Sequence, residues 1–261
     1  MISYSNSSSA GQSARMCGSP SISIVNVKGA SIARASEHVI YTCAGPEIAV
    51  ASTKAYTTQL AVLYLLTARM AIARGLWSED QTKKYMDELL RVPDVMKEVL
   101  SQKEEIHHIA DTILNAKDVF MIGRGLDYSI LLEGSLKLKE VSYIHSEAYA
   151  SGELKHGTIA LITSETPVIA VVTQDKLKSK ELSNIKEVQS RGAKVILLIK
   201  GDEVLEQEKI WSRIFRLPVM EDEFMVMPAS VVLQLIAYYV SLDKGLDVDK
   251  PRNLAKVVTV E

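Results

Sequence analysis

The chain has 261 residues, 47% apolar and 24% charged, with five histidines and a formal net charge of −2. That composition can bury the core of one large domain or two ordinary ones, and the near-neutral charge leaves no electrostatic footprint for nucleic acid or an anionic membrane, so a small molecule or a protein is the expected partner. Cys17 and Cys43 lack metal-ligand spacing and could form at most one bridge, as expected of a reducing cytoplasm, and the opening MISYSNSSSAGQ lacks the basic-then-apolar order of a secretory signal.

In chain order, SYSNSSSAGQSARMCGSPS is Ser- and Gly-rich and shows neither helical nor strand periodicity. From Ile22, ISIVNVKGASIARASEHVIYT predicts an apolar strand, a Lys-Gly turn, a short helical segment and a second strand. Gly45 to Gln59 then joins a glycine turn to a helix through LAVLYLLTARMAIA, which is too short, and too interrupted by Thr67 and Arg69, to span a bilayer. Glu79 to Leu100 reads as an amphipathic helical linker broken at Pro93, and Ser101 with Glu104 as a capping box opening a helix through Ile106, Ile109, Ile113 and Leu114. Val119 to Ile122 predicts a short strand ending at Gly123-Arg124-Gly125. There follow a helix from about Tyr128 to Tyr143, the turn SGELKHG (Ser151 to Gly157), and a strand from Pro167 to Thr173. A helix from Lys178 to Arg191 closes at Gly192, and Ala193 to Lys200 is a continuous apolar strand, with a last strand near Phe215.

Apolar strands without alternation, separated by helices, predict a parallel sheet covered on both faces, an α/β fold. The segment from Ile22 and VILLIKGDEVLEQEKIWSRIFRL from Val195 share one layout, and each is followed by an acidic loop and a long apolar helix with a Gln-Leu pair, Gln59-Leu60 and Gln234-Leu235. The chain therefore reads as two related units, the first incomplete at its N-terminus because far fewer residues precede its Lys-Gly turn. The expected boundaries are a partial first unit over 1–78, a helical linker over 79–100, a second unit over 101–240 and a tail over 241–261.

Glu133, Lys137 and Glu140 fall at i, i+4 and i+7 on one helix face, with Leu131, Gly134, Leu138 and Val141 on a stripe that can bury against the sheet. That spacing ordinarily gives a solvated salt-bridge ladder. A functional reading comes from the start of this helix, just past the carboxyl end of a parallel strand, where open α/β sheets bind ligands. His156 sits in a turn between Gly152 and Gly157, where backbone can approach a ligand closely. His107 and His108 are adjacent on a helix, His38 opens a strand and His145 sits at a helix end; no pair has metal spacing, and no metal is expected. Lys256 lies among Leu254, Ala255, Val257 and Val258, surroundings that lower an ammonium pKa as a Schiff-base lysine requires. Ser52, Thr53 and Thr57 crowd a helix start suited to sugar oxygens or phosphate, although N-capping accounts for Ser52 equally well. Gly123-Arg124-Gly125 lacks the third glycine and the acidic residue of a dinucleotide fingerprint, which sets NAD aside.

PEIAVASTKAYTTQL, EGSLKLKEVSYIHSEAYASGELKHG and PRNLAKVVTVE closely resemble the isomerase portion of the glutamine:fructose-6-phosphate amidotransferase (glucosamine-6-phosphate synthase) family, over about Ile22 to Glu261. The resemblance implies tandem SIS (sugar isomerase) units, each a doubly wound parallel sheet, acting on fructose 6-phosphate to give glucosamine 6-phosphate. It implies that Lys256 forms the Schiff base with the ketose, that Glu140 moves a proton between C1 and C2, and that His156 opens the ring from the neighbouring subunit of a homodimer. Glu133 and Lys137 resemble supporting polar residues, Val50 and Ser52 resemble sugar-contacting residues, and Ala255 lines the site. No metal or organic cofactor, nucleic acid or membrane is implied, and the compartment is the cytoplasm.

Two features depart from the family's pattern. Ile2 stands where the family's N-terminal glutaminase domain has its catalytic cysteine, so ammonia from glutamine is not expected and residual isomerisation is the most the chain should manage alone. Only Ser3-Tyr4-Ser5-Asn6 lies near the place of the family's SQSGET phosphate loop, and with no helix pattern after it the hydroxyls of Ser3, Ser5, Ser7, Ser8 and Ser9 are not expected to replace that loop. The alternative to an enzyme is a non-catalytic SIS sugar-phosphate-binding or dimerisation module.

Overall fold

The computed structural model describes residue 11 and residues 13–164, 166–202 and 211–255. The chain divides into two compact units, Met1–Tyr85 with Arg252–Glu261, and Met86–Pro251.

In the first unit, β1 (Ile22–Val25) and β2 (His38–Tyr41) pair in parallel, joined through the short helix α1 (Ser31–Ala35). Asn26, the residue after β1, ties down the segment leaving β2: its Oδ1 accepts from Ala44 N at 2.9 Å and Thr42 Oγ1 at 3.0 Å, and its Nδ2 donates to Gly45 O at 2.7 Å. The long helix α2 (Lys54–Ala73) follows. One expectation fails here. Residues 13–16 are helical and close with bonds from Cys17 N to Ser13 O and Gly18 N to Arg15 O, both 3.0 Å, so the Ser-rich opening does lead into helix. Its residues are largely exposed, and an exposed turn of helix leaves no apolar periodicity to read.

Helix α3 (Glu79–Ser101) runs unbroken through Pro93. Pro93 removes only the bond to the carbonyl of Leu89, while Leu89, Val92, Val95 and Val99 form a buried stripe that keeps the helix in place. Because α3 continues to Ser101, the expected capping box does not form: the Ser101 hydroxyl donates back to Glu98 O at 2.6 Å, and α4 (Lys103–Asp111) starts after Gln102 without a side-chain cap.

The second unit continues with β3 (Asp118–Gly123), α5 (Leu126–Ser142), β4 (His145–Ala150), β5 (Pro167–Val172), α6 (Lys178–Gln189), β6 (Lys194–Lys200), β7 (Arg213–Leu217) and α7 (Val226–Asp243). Among the described residues its sheet has the order β4-β3-β5-β6-β7, parallel throughout. Strand β4 was not expected, and His145 opens it instead of closing a helix. HSEAYA is an edge strand with most residues only half-buried, so it lacks the apolar run that marks the central strands.

Both faces of the sheet are covered. Phe120 and Ile122, Val168, Ala170 and Val172, and Val195, Leu197 and Ile199 share a core with Ile185 and Val188 of α6. The alternate residues Met121, Ile169, Ile196 and Leu198 are equally buried and point the other way, as strand geometry requires. Helix α7 packs against α5 and α4. The segment Asp222–Asp243 is long and apolar enough to cross a bilayer, but 72% of its most apolar window is buried inside the protein, as expected of a core helix.

The α5–α7 contact is close at Gly134, where a Cβ would lie 2.8 Å from Leu233 Cδ1, and Leu233 is itself buried. Gly134→Leu should therefore destabilise the chain by roughly 1–3 kcal/mol in urea unfolding, and Leu233→Ala in the same chain should recover part of that loss. Additive losses would show that the two helices do not meet there.

Candidate active site

Gly123 ends β3 where an added Cβ would lie 3.0 Å from the backbone of Asp127 and Tyr128, so its lack of a side chain lets α5 begin hard against the strand. Lys137 lies on the face of α5 between Glu133 and Glu140. Its Nζ donates to Glu140 Oε2 at 2.5 Å and pairs with Glu133 Oε1 at 3.4 Å. The lysine side chain is 3% exposed and each glutamate 12%, so this is a buried ion triad and not a solvated ladder. Burial raises the Glu133 carboxyl above the usual range; Lys137 opposes that, and the like charge of Glu140 adds to it.

As expected, α5 begins just past the carboxyl end of β3, and the triad lies farther along it. α5 runs back along the sheet, and Ser135, between Glu133 and Lys137, bonds through its hydroxyl to Ser146 O at 2.9 Å near the start of β4. The triad therefore lies well down α5 from the carboxyl edge of its own sheet, since a helix advances about 1.5 Å per residue.

That carboxyl edge carries different polar residues, which the sequence reading did not single out. Asp127, in the first turn of α5, reaches across from β3 to β5: Thr173 N donates to it at 2.8 Å and the Thr173 hydroxyl donates to its other oxygen. Burial raises its pKa to about 6 against those bonds. Glu181 of α6 accepts from Ser151 Oγ at 2.6 Å and has Arg124 Nε at 3.7 Å, and burial raises its pKa to about 7. Arg124 also donates twice to Asn184 Oδ1, at 3.1 and 2.6 Å. A readable signal was present: Glu181 and Asn184 occupy the buried stripe of α6 with Ile185 and Val188, at i, i+3, i+4 and i+7.

His156 ends the 3-10 turn Glu153–His156, with a 75% exposed side chain and Glu153 Oε2 at 4.0 Å. Val50, Ser52 and the exposed Ala255 belong to the first unit, and Lys256 lies outside the described residues, as do Ser3, Ser5, Ser7, Ser8 and Ser9. Ser52 does not cap α2. Thr53 holds that position without a side-chain bond, and Glu47 Oε1 instead accepts from Thr53 N at 2.8 Å and Ala55 N at 3.3 Å. Among the described residues, His107, Asp111 and Asp243 could hold a metal ion, with ligand atoms within 4.8 Å of one another; Asp243 comes from a helix distant in sequence, which is why histidine spacing did not show the set. A cavity of about 730 Å³ opens at the amino ends of the strands, beside Asp111, Asp118, His145, Pro167 and Lys194, and Glu133, Lys137, Glu140 and His156 do not line it.

Over residues 5–69 and 112–243 the chain matches the SIS domain family. The chain belongs to the SIS domain family. Among SIS relatives, glutamine–fructose-6-phosphate aminotransferases (isomerizing) of Caldanaerobacter subterraneus and Clostridium acetobutylicum are 52% and 49% identical to it over 95% of this chain, which spans 41% of each relative's length. The solved C-terminal domain of glucosamine-fructose-6-phosphate aminotransferase from Francisella tularensis superposes with a TM-score of 0.89 at 37% identity, covering 95% of this chain and 70% of that one. The α/β fold of parallel sheets is thus the SIS fold of that C-terminal domain, and the match covers the isomerase part of these relatives.

Two outcomes follow for this SIS chain. Lys137→Met leaves Glu133 and Glu140 buried without their cation and should cost about 3–5 kcal/mol in urea unfolding; a loss below about 1 kcal/mol would mean the triad is solvated after all. The second concerns pH. Asp127 and Glu181 have folded values raised above the unfolded 3.8 and 4.5, so the folded state binds protons more tightly and stability falls as pH rises through the window up to about 6 and 7. Glu181→Gln removes the second contribution. Relative to wild type, the variant should gain roughly 3 kcal/mol at most between pH 4.5 and pH 7, read from urea midpoints across that range.

Proposed function

We propose that this chain is the sugar-isomerising part of a glutamine–fructose-6-phosphate aminotransferase, converting fructose 6-phosphate to glucosamine 6-phosphate once ammonia is supplied. The observation that supports it most is the buried Glu133–Lys137–Glu140 triad, in a chain 52% identical to a relative bearing that name. In this reading Lys256 forms an imine at C2 of the open-chain ketose with loss of water, and ammonia then displaces the lysine amine to leave the sugar's own C2 imine. Glu140 takes a proton from C1 and returns it at C2, which leaves the aldehyde at C1 and the amine at C2. Lys137 orients the Glu140 carboxylate through its 2.5 Å bond, and Glu133 balances the ammonium from the preceding turn. Val50, Ser52 and Ala255 contact the sugar.

His156 acts as the acid and base of ring opening, and it does so from the partner subunit of a homodimer. Its exposure on a surface turn suits that role, because the side chain is open to a second copy and an imidazole ring carries both a donor and an acceptor nitrogen. The chemistry needs a carboxylate, an amine and an imidazole, with no metal or organic cofactor, and the chain works in the cytoplasm.

Borohydride reduction in the presence of fructose 6-phosphate should trap an adduct on Lys256. Glu140→Gln should keep that adduct while slowing conversion of glucosamine 6-phosphate to fructose 6-phosphate by about 10²–10⁴. Reversible sugar-phosphate binding with neither adduct nor turnover would instead identify a non-catalytic module.

A further inference from the structure

The turn that carries His156 is gripped by one face of α6. Glu181, Asn184 and Glu187 follow one another at intervals of three on that helix and share a face. Glu181 Oε1 accepts from Ser151 Oγ at 2.6 Å, Asn184 holds the Arg124 guanidinium, and Glu187 Oε1 pairs with Lys155 Nζ at 2.7 Å. Arg124 in turn lies against Gly152, where a Cβ would stand 3.1 Å from its Nη2. Ser151 N donates to Gly123 O at 3.0 Å, and Leu154 is buried in the same core as Ile185 and Val188.

Of the six residues from Ser151 to His156, then, four are tied to α6, to Arg124 or to the core. The two left pointing outward are Glu153 and His156, with side chains 72% and 75% exposed. A turn tied at alternating points cannot shift without breaking a buried contact, so the outward pair is presented in one place.

The composition of the grip argues against packing as its purpose. Glu181 is 1% exposed, and its second oxygen has no hydrogen-bond partner among the described residues, only the Arg124 guanidinium at 3.7 Å. A buried carboxyl in that state costs more than an apolar residue of similar volume would. Such a cost is understandable where a fixed geometry matters, because a supporting shell must hold a functional side chain closely to be of use.

We propose that Glu181, Asn184 and Glu187, together with Arg124, are positioning residues that set where the Ser151–Gly157 turn presents His156. The inference rests on the functional reading for the task it gives His156, whereas the grip itself stands on the contacts alone.

Amide hydrogen exchange over residues 152–157 and steady-state conversion of glucosamine 6-phosphate, both on the full chain, test it together. Glu181→Ala should speed exchange in the turn about tenfold or more and lower kcat about 10- to 100-fold with KM within about threefold, as lost support of a functional side chain does. Glu181→Gln keeps an acceptor for Ser151 and should restore both readouts most of the way. Asn184→Ala, which frees Arg124, should move both in the same direction and serves if Glu181→Ala does not fold. Unchanged exchange in the turn overturns the proposal, as does faster exchange with wild-type kcat. A wild-type chain that turns over nothing counts against the functional reading, and the exchange comparison alone then decides whether α6 holds the turn.

Discussion

Adjacent parallel strands cannot be joined by a tight turn; each must return over a face of the sheet before the next begins. In the second unit that constraint covers both faces with helices and gathers the carboxyl ends of β3 to β7 along one edge. It also fixes the direction of α5. Leaving that edge at Gly123 and running back beside the sheet, α5 carries Asp127 at the edge and the Glu133–Lys137–Glu140 triad farther down. The same helix thus serves two separate polar places, one tying β3 to β5 and one offering carboxylates flanking an ammonium.

Neither place is accounted for by stability. Lys137 is enclosed on a helix whose neighbouring residues Leu131 and Leu138 are fully buried, and removing an ammonium from water costs several kcal/mol before its partners return any of it. A well-packed apolar side chain at 137 with apolar residues at 133 and 140 would hold α5 at least as well. The same holds for Asp127 and Glu181, whose burial drives their carboxyls toward the neutral form. Charges retained at such a cost are more readily understood as serving geometry or chemistry.

How much of this was legible follows from what each residue shows its neighbours. The central strands β3, β5 and β6 are buried on both sides and announce themselves as apolar runs, and the stripe of Leu131, Gly134, Leu138 and Val141 gives the buried side of α5 directly. Edge strand β4 does not, because half-exposed HSEAYA satisfies no apolar period. Pro93 misleads for the opposite reason: a local rule against proline yields to the buried stripe on either side of it. At the site, helix periodicity brings Glu133, Lys137 and Glu140 onto one face, but whether that face is wet depends on what surrounds it, which spacing cannot state. The edge cluster joins residues from four separate segments, Arg124 and Asp127, Ser151, Thr173, and Glu181 and Asn184, and no local pattern links them.

The repeat read from the Lys-Gly turns extends to the backbone. In β1 and β2, Ile22 lies opposite His38; in β6 and β7, Ile196 lies opposite Arg213, so two parallel pairs are made by connections differing by a single residue. The polar ties beyond these pairs have nonetheless diverged. In the first unit the neutral amide of Asn26 holds the segment after β2 through three hydrogen bonds. In the second, Lys200 at the end of β6 pairs with Asp222 beyond β7 and with Asp175 beyond β5 at 2.9 Å. A neutral tie can sit beside an anionic ligand without adding charge of its own, whereas an ammonium already occupied by two carboxylates has little capacity left for a third anion. The β1–β2 and β6–β7 pairs thus keep one layout while the polar ties at their ends change from a neutral amide to a charged cluster.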